Sequence, residues 1–249
     1  MRFFLDLSYN GKAYHGWQIQ PNAISVQEMV EKSLAVAFQQ KVAVVGAGRT
    51  DTGVHAKQLL AHADVDQSEI DFQQLLFKLN TILPNDISIN AIYEVKADAH
   101  ARFDAIGRTY NYYITTRKDP FLEDFSCYVK KSLDVDLMNE ASKILLDYRD
   151  FKCFSKSKTD VKTYNCKIEK AFWEQKEHQL IFTIKADRFL RNMVRAIVGT
   201  LIEIGLKKIS LDDFRLILES RDRGKAGKSV DAKGLFLTEV EYPNTIIKN

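Results

Sequence analysis

The segment Gly48-Arg49-Thr50-Asp51-Thr52-Gly53-Val54 combines one carboxylate, one cation and two glycines within seven residues. Glycine tolerates positive φ and lets the backbone approach a ligand closely, and we expect Gly46, Gly48 and Gly53 to act in this way. An aspartate held on a short loop beside Arg49 is expected to be ionised at neutral pH. Asp51 therefore meets the requirements of a carboxylate nucleophile.

Two other interpretations of this loop start from the same residues. The first is an Asx-turn, in which Asp51 bonds nearby backbone N–H groups and Arg49 is solvated. The second is an aspartic protease, because Asp51-Thr52-Gly53 is the tripeptide of that class. A protease pairs two such acids over a shared proton, and an adjacent arginine works against that sharing. No second Asp-Thr-Gly occurs in the chain, although a homodimer could supply one.

A third interpretation rests on a family. Residues 48–56 match throughout the signature Gly-Arg-Thr-Asp-x-Gly-Val-His-Ala of the tRNA pseudouridine synthase A family, which this chain resembles. The resemblance implies a cytoplasmic, homodimeric isomerase that converts uridine to pseudouridine at positions 38–40 of the tRNA anticodon arm. Nothing is oxidised and no group enters in that reaction, so no cofactor is expected, and no His, Cys or acid spacing of ligand type predicts a metal. Asp51 would act as the nucleophile, and attack at uracil C6, attack at ribose C1′ and a glycal-type elimination all stay open.

A tyrosine-rich segment follows at residues 108–112. In the family, the corresponding Arg-x-Tyr-x-Tyr motif presents a tyrosine that stacks on the target base, and by position this residue is Tyr110. Stacking of a base on an aromatic ring contributes ~1–3 kcal/mol. The pattern alone favours a core role for both Tyr110 and Tyr112. The resemblance implies Tyr110 in the site and Tyr112 in packing.

Two arginines are candidate partners of Asp51 and of the RNA. Arg195 lies at the edge of the apolar stripe of a predicted helix, so its guanidinium needs an anionic partner. Asp51 could be this partner, or Arg195 could instead reach solvent or pair with Glu203. The motif Phe-x-x-x-Met-Val-Arg at 189–195 resembles the family's, in which the arginine pairs with the catalytic aspartate. Arg49 could contact phosphate or replace the flipped base in the stack, and the resemblance implies the second role.

Two further segments resemble the family less closely. Residues 14–20 are expected to shape the cleft and touch RNA. Near the end, Ala226-Gly227-Lys228-Ser229-Val230-Asp231 departs from the family's Ala-Gly-x-Thr-Ala-Pro. Ser229 keeps a hydroxyl, but the proline is absent and an acid stands at 231, which affects the expected detail of the base pocket.

Two similar series of elements are predicted along the chain. The first has strands at 3–9, 42–47, 58–65 and 87–95, with helices from a Ser25–Glu28 capping box and at 70–82. The second has strands at 108–116, 164–174, 178–186 and 234–241, with helices at 136–147, 189–206 and 211–220. Each series reads βαββαβ, with one added helix in the second. The predicted fold is α+β, with two tandem ferredoxin-like units whose mostly antiparallel sheets join across a central RNA-binding cleft. The domains would be 1–104, carrying the Asp51 loop, and 105–249, carrying Tyr110, the Arg195 helix and basic loops.

Composition limits the class of protein. Of 249 residues, 45% are hydrophobic and 28% charged, which is typical of a globular protein. The longest apolar stretch, 190–206, contains two arginines and a glutamate and is no membrane span. The N-terminus reaches an acid at Asp6, too soon for a signal peptide. Three cysteines without a Cys-x-x-Cys pair favour a reducing cytosol and argue against a disulfide or zinc framework.

The charge is distributed unevenly along the chain. The net charge is +3, with −3 on residues 1–100 and +6 on residues 101–249. Two basic runs in the second half predict a phosphate-binding surface, although most such runs are simply solvated loops. They are lysines 152, 156, 158, 162, 167 and 170, and Arg221, Arg223, Lys225, Lys228 and Lys233. A non-catalytic RNA-binding protein built from tandem ferredoxin-like units is therefore the alternative function, with the protease third.

Overall fold

The computed structural model describes residues 1–156 and 161–247. Within these ranges the chain is α+β, with nine strands that pair mostly in antiparallel fashion and five α-helices. It divides into two compact units, Met1–Ile106 together with Leu237–Asn249, and Gly107–Phe236. The sequence places all of 105–249 in one half, whereas in the structure the residues from Leu237 onward group with the first unit.

The first unit alternates strands and helices in the predicted order. Its elements are β1 (Arg2–Tyr9), α1 (Val26–Phe38), β2 (Val44–Gly46), β3 (His55–Asp64), α2 (Phe72–Ile82) and β4 (Ile87–Glu94). The strands lie in the order β4-β1-β3-β2, and each neighbouring pair is antiparallel. This order puts the loop between β2 and β3, which contains Asp51, at the end of a hairpin.

Strand β1 is more deeply buried than its alternating pattern predicts. Phe3, Phe4, Leu5 and Leu7 are all at most 1% exposed, so both faces of this central strand are covered. Its one buried acid, Asp6, accepts hydrogen bonds from side-chain amides on β3 and β4. These bonds offset the cost of burying the carboxylate.

Among the described residues, eight strands and α-helices begin in the second unit, and the last of them continues into the first unit. They are β5 (Gly107–Thr115), β6 (Cys127–Tyr128), α3 (Val135–Ile144), β7 (Ile168–Lys176), β8 (Gln179–Ala186), α4 (Met193–Gly205), α5 (Leu211–Ser220) and β9 (Leu235–Glu241). Strand β8 pairs antiparallel with both β5 and β7, and the short strand β6 pairs parallel with β5. Nearly all of α4 is buried, so this helix forms the core of the unit.

Several predicted boundaries differ from the structure by a few residues, among them those of α4 and β2. The helix predicted from residue 189 begins at Met193, because Asn192 takes a left-handed conformation with φ of 65° and cannot belong to a right-handed helix. The strand predicted at 42–47 is reduced to Val44–Gly46, since β2 pairs with only three residues of β3. Among the described residues, none of the helices meets the length and apolar character that a membrane span requires.

Candidate active site

The loop that carries Asp51 is anchored on its N-terminal side by Thr50. The Thr50 hydroxyl and the buried Tyr9 hydroxyl share a hydrogen bond of 2.8 Å, and the Thr50 carbonyl accepts a bond from the Trp17 backbone N–H at 3.3 Å. Thr50 is 8% exposed, whereas Asp51 next to it is half-buried. The backbone is thus fixed directly before the carboxylate.

The C-terminal side of the loop is anchored by backbone bonds. Gly53 N–H donates to the Tyr14 carbonyl at 3.3 Å, and Val54 N–H donates to the Asp51 carbonyl at 3.1 Å. Gly53 has φ of +75°, so its predicted positive φ is confirmed. The backbone on both sides of Asp51 is thus held in place before any substrate arrives.

The other two loop glycines do not have positive φ, so that part of the prediction is wrong. Gly46 is needed for space, because a Cβ there would lie 2.7 Å from the indole ring of Trp17. At Gly48 a Cβ would meet no atom of the described chain within 4 Å. Only the tertiary contacts separate these roles, since all three glycines look alike in the sequence.

Gly16, which the sequence does not single out, supports the loop from the N-terminal segment. It has φ of +89°, and a Cβ there would lie 2.3 Å from the Thr50 carbonyl oxygen. The segment 14–20 therefore packs directly against the backbone of the Asp51 loop. We find it acting as a scaffold of that loop.

Arg49 is exposed on the same loop as Asp51. Its Nε donates to Gln18 Oε1 at 3.2 Å, and the Gln18 amide donates to Gln27 Oε1 at 2.8 Å. The Arg49 side chain is thus directed by the N-terminal segment while staying accessible to a ligand.

Tyr110 and Tyr112 lie two residues apart on β5 and therefore on the same face of the strand. Tyr112 is fully buried and its hydroxyl donates to the Asp231 carbonyl at 2.9 Å, which confirms its packing role. Burial raises the pKa of the Tyr112 hydroxyl far above its ordinary value. Tyr110 is half-buried, and the Phe189 ring packs edge-on against it with centroids 5.2 Å apart.

Arg195 is half-buried in the first turn of α4. Its Nε donates to the Val230 carbonyl at 2.7 Å, and its own carbonyl accepts the Val230 N–H at 3.2 Å. The alternative partner Glu203 is bound by Lys208 at 2.8 Å. Arg49 and Asp51 thus lie together in the first unit, and Tyr110 and Arg195 lie in the second. The pairing of Arg195 with Asp51 stays a prediction.

The basic run at 221–233 is only partly available to a ligand. Arg221 pairs with Asp150 at 2.7 Å and Lys233 pairs with Glu123 at 2.7 Å. Arg223 donates to carbonyls of its own loop, whereas Lys225 and Lys228 are exposed. The five cations of this run look equivalent in the sequence, whereas in the structure three of them bind other groups of the chain.

The lysine run at 152–170 is more exposed. Lys152 lies 5.5 Å from the centroid of the Tyr164 ring, while Lys162, Lys167 and Lys170 point into solvent. Lys158 lies outside the described residues. This run is the larger candidate for contact with phosphates.

Two of the three cysteines of the second unit are buried and are not poised for chemistry. Burial raises the pKa of the Cys153 and Cys166 thiols to about 12 each, so both are protonated at neutral pH. In the described part of the chain, no three His, Cys, Asp or Glu side chains converge as metal ligands.

Comparison with known proteins assigns the family. A family model described as tRNA pseudouridine synthase matches residues 7–104 and 141–243. The tRNA pseudouridine synthase A of Parabacteroides distasonis is 52% identical over 245 residues, which cover 98% of this chain and 97% of the relative. The proteins of the same name from Bacteroides fragilis and Clostridium acetobutylicum are 53% and 42% identical, covering 99% and 96% of this chain and 98% of each relative. These matches confirm the resemblance found at the Asp51 loop, and this chain belongs to the tRNA pseudouridine synthase family of isomerases.

Proposed function

We propose that this protein isomerises uridine to pseudouridine at positions 38–40 of the tRNA anticodon arm, with Asp51 as the nucleophile. The observation that carries the proposal is the position of Asp51, half-buried on a loop whose backbone is anchored by Thr50 on one side and Gly53 on the other. Membership of the tRNA pseudouridine synthase family supports the same reaction.

The reaction is an internal rearrangement. The N1–C1′ glycosidic bond breaks, the uracil turns, C5 bonds to C1′, and the C5 proton is lost as N1 regains one. Asp51 assists by attack at C6, by attack at C1′ or by a glycal-type elimination. In each case a fixed carboxylate lowers the barrier, because no orientation has to be gained during the reaction.

The target base must leave the helix to reach Asp51, at a cost of a few kcal/mol. Tyr110 offers a half-exposed ring, held edge-on by Phe189, on which the base stacks for ~1–3 kcal/mol. Arg49, exposed on the Asp51 loop, enters the position that the base has left.

Arg195 holds the Asp51 carboxylate ionised and aimed by an ion pair. Two observations support this ion pair. The Val230 carbonyl holds the half-buried Arg195 guanidinium, and Glu203, the alternative partner of Arg195, is already paired with Lys208. We expect Arg195→Met to lower kcat by about tenfold or more, because the Asp51 carboxylate is then no longer aimed at the substrate. A kcat for tritium release equal to that of the wild type would contradict the pair.

The finer fold and the assembly are part of the same proposal. The antiparallel order β4-β1-β3-β2 of the first unit, and the repeated βαββαβ series, support two tandem ferredoxin-like units. A tRNA substrate supports a cytoplasmic enzyme. We also propose a homodimer, for which sedimentation should give twice the mass of one chain.

Tritium release from tRNA transcripts containing [5-³H]uridine tests the function. We expect release with the wild type and with Asp66→Asn, a control on an exposed loop, but none with Asp51→Asn. Mapping of the product should place pseudouridine at positions 38–40. Equal release by Asp51→Asn would contradict the nucleophile. Binding of tRNA without release by any variant would favour the non-catalytic RNA-binding alternative.

A further inference from the structure

The segment 226–230, which we call the supporting segment, runs over the first turns of α4. Val230 makes two hydrogen bonds with Arg195, accepting from Nε at 2.7 Å and donating its N–H to the Arg195 carbonyl at 3.2 Å. Because Nε is the root of the planar guanidinium, this bond sets the direction in which the terminal N–H groups point. The position of Val230 therefore determines the orientation of the Arg195 guanidinium.

Arg223 binds the supporting segment from outside. Its Nη1 lies 3.3 Å from the Ala226 carbonyl oxygen and 3.1 Å from that of Gly227, and its Nη2 donates to Ser229 Oγ at 3.0 Å. A half-buried guanidinium with three acceptors on four consecutive residues imposes one backbone path on them.

Helix α4 binds the supporting segment from the other side. Asn192 Nδ2 donates to the same Ser229 Oγ at 2.6 Å, and Gly227 N–H donates to Thr200 Oγ1 at 2.9 Å. The fit is close, since a Cβ on Gly199 would lie 1.8 Å from the Lys228 carbonyl oxygen. Ser229 is thus the point at which Arg223 and the start of α4 meet.

We propose that Arg223 and Ser229 are positioning residues of the reaction, which fix the supporting segment so that Val230 aims the Arg195 guanidinium. This inference rests on the proposed function, in which Arg195 serves Asp51. It separates Arg223 from Lys225 and Lys228 of the same basic run, because the Arg223 donors are used within the chain whereas the two lysines are exposed. Contact with phosphates falls to exposed neighbours such as Lys225.

Steady-state tritium release by three arginine and lysine variants tests the proposal. We expect Arg223→Met to lower kcat about tenfold to hundredfold with little change in KM, because a small displacement of a site group has that effect. Lys225→Met should raise KM and reduce the salt dependence of tRNA binding by about one phosphate contact. Arg215→Met, which removes an exposed cation paired with Asp212 on α5, is the matched control and should change neither.

Two Ser229 variants separate positioning from general loss of structure. Ser229→Ala removes the acceptor shared by Asn192 and Arg223 and should lower kcat, whereas Ser229→Thr keeps the hydroxyl and should restore it. Thermal unfolding of each variant reports whether the fold is intact. A Ser229→Thr variant as slow as Ser229→Ala, with the same melting temperature as the wild type, would contradict the hydroxyl's role.

A double-mutant cycle between Arg195 and Arg223 is decisive. If Arg223 acts through Arg195, Arg195→Met with Arg223→Met should be no slower than Arg195→Met alone. Multiplied losses, or an Arg223→Met variant that raises KM as Lys225→Met does, would overturn the inference. Tritium release by the wild type is measured first. If the wild type releases no tritium, the proposed function fails. If the wild type is active but the cycle gives multiplied losses, only this inference fails.

Discussion

At the scale of single residues, the Asp51 loop shows that glycines of one motif serve different physical needs. Gly53 provides positive φ, Gly46 provides room for Trp17, and Gly48 does neither within the described chain. Gly16 combines positive φ with close contact to the Thr50 carbonyl. The conformation of the Asp51 loop therefore depends on Gly16 as well as on the motif itself.

Substitution by alanine should lower the free energy of unfolding strongly at Gly16 and very little at Gly48. Gly16→Ala forces a side chain into positive φ and against the Thr50 carbonyl, so we expect the free energy of unfolding to fall by about 1–3 kcal/mol or more. Gly48→Ala should change it by less than about 0.5 kcal/mol. Urea denaturation measures both. Equal losses for the two variants would show that the loop is not held as described.

The buried His62 makes stability depend on pH. Burial, with smaller contributions from Arg2 and His100, lowers the pKa of His62 to about 4, and its Nδ1 accepts the Ala101 N–H. As the pH falls below 6.5, His62 takes up a proton in the unfolded chain before it does so in the folded protein. The contribution of His62 to the free energy of unfolding is therefore fully present above pH 6.5 and declines as the pH falls to about 4. The loss is at most about 3 kcal/mol.

Urea denaturation at pH 7.5 and pH 4.5 tests this dependence. We expect His62→Gln to lose less stability between the two pH values than the wild type does, because the glutamine does not titrate. The exposed His15→Gln is the control and should behave as the wild type. A pH dependence of His62→Gln equal to that of the wild type would contradict the assignment.

At the scale of elements, the start of α1 supports the site. Ser25 caps the helix by accepting a hydrogen bond from the Glu28 N–H. The first two N–H groups of the helix, of Val26 and Gln27, donate to the carbonyls of Gly16 and Trp17. The helix end is thus satisfied by the same segment that holds the Asp51 loop. Helix α1 and the loop form one hydrogen-bonded system.

Loss of this cap should therefore be measurable. We expect Ser25→Ala to lower the free energy of unfolding by about 1 kcal/mol, because the Glu28 N–H loses its acceptor. Ser25→Thr keeps the hydroxyl and should lose less. Chemical denaturation of the three proteins decides the matter, and equal losses for alanine and threonine would indicate that burial of Ser25, and not its bond, matters.

At the scale of the whole molecule, the modest net charge of +3 conceals a basic second half. We expect the Kd for tRNA to rise at least about tenfold between 50 and 200 mM salt, because each neutralised phosphate releases counterions. Arg221→Met should keep the wild-type salt dependence, since Asp150 already pairs with Arg221. Filter binding over a salt series measures both, and affinity independent of salt would contradict binding through phosphates.

Much of this molecule follows from the sequence by itself. The family signature at residues 48–56, the Ser25 cap, the order of strands and helices, and the extent of α5 depend on residues close together in the chain, and local patterns report them well. Even the buried role of Tyr112 could be predicted from its place in a strand.

Other features were decided only by the tertiary structure. Arg223 looks like any cation of its run until residues 226–229 fold back to accept its N–H groups. Gly48 looks like Gly16 until the carbonyl of Thr50 is placed beside one and not the other. Helix α4 starts at Met193 because Asn192 takes a left-handed turn and bonds Ser229, 37 residues away. Each of these outcomes depends on contacts between distant parts of the chain, which exist only after the chain has folded.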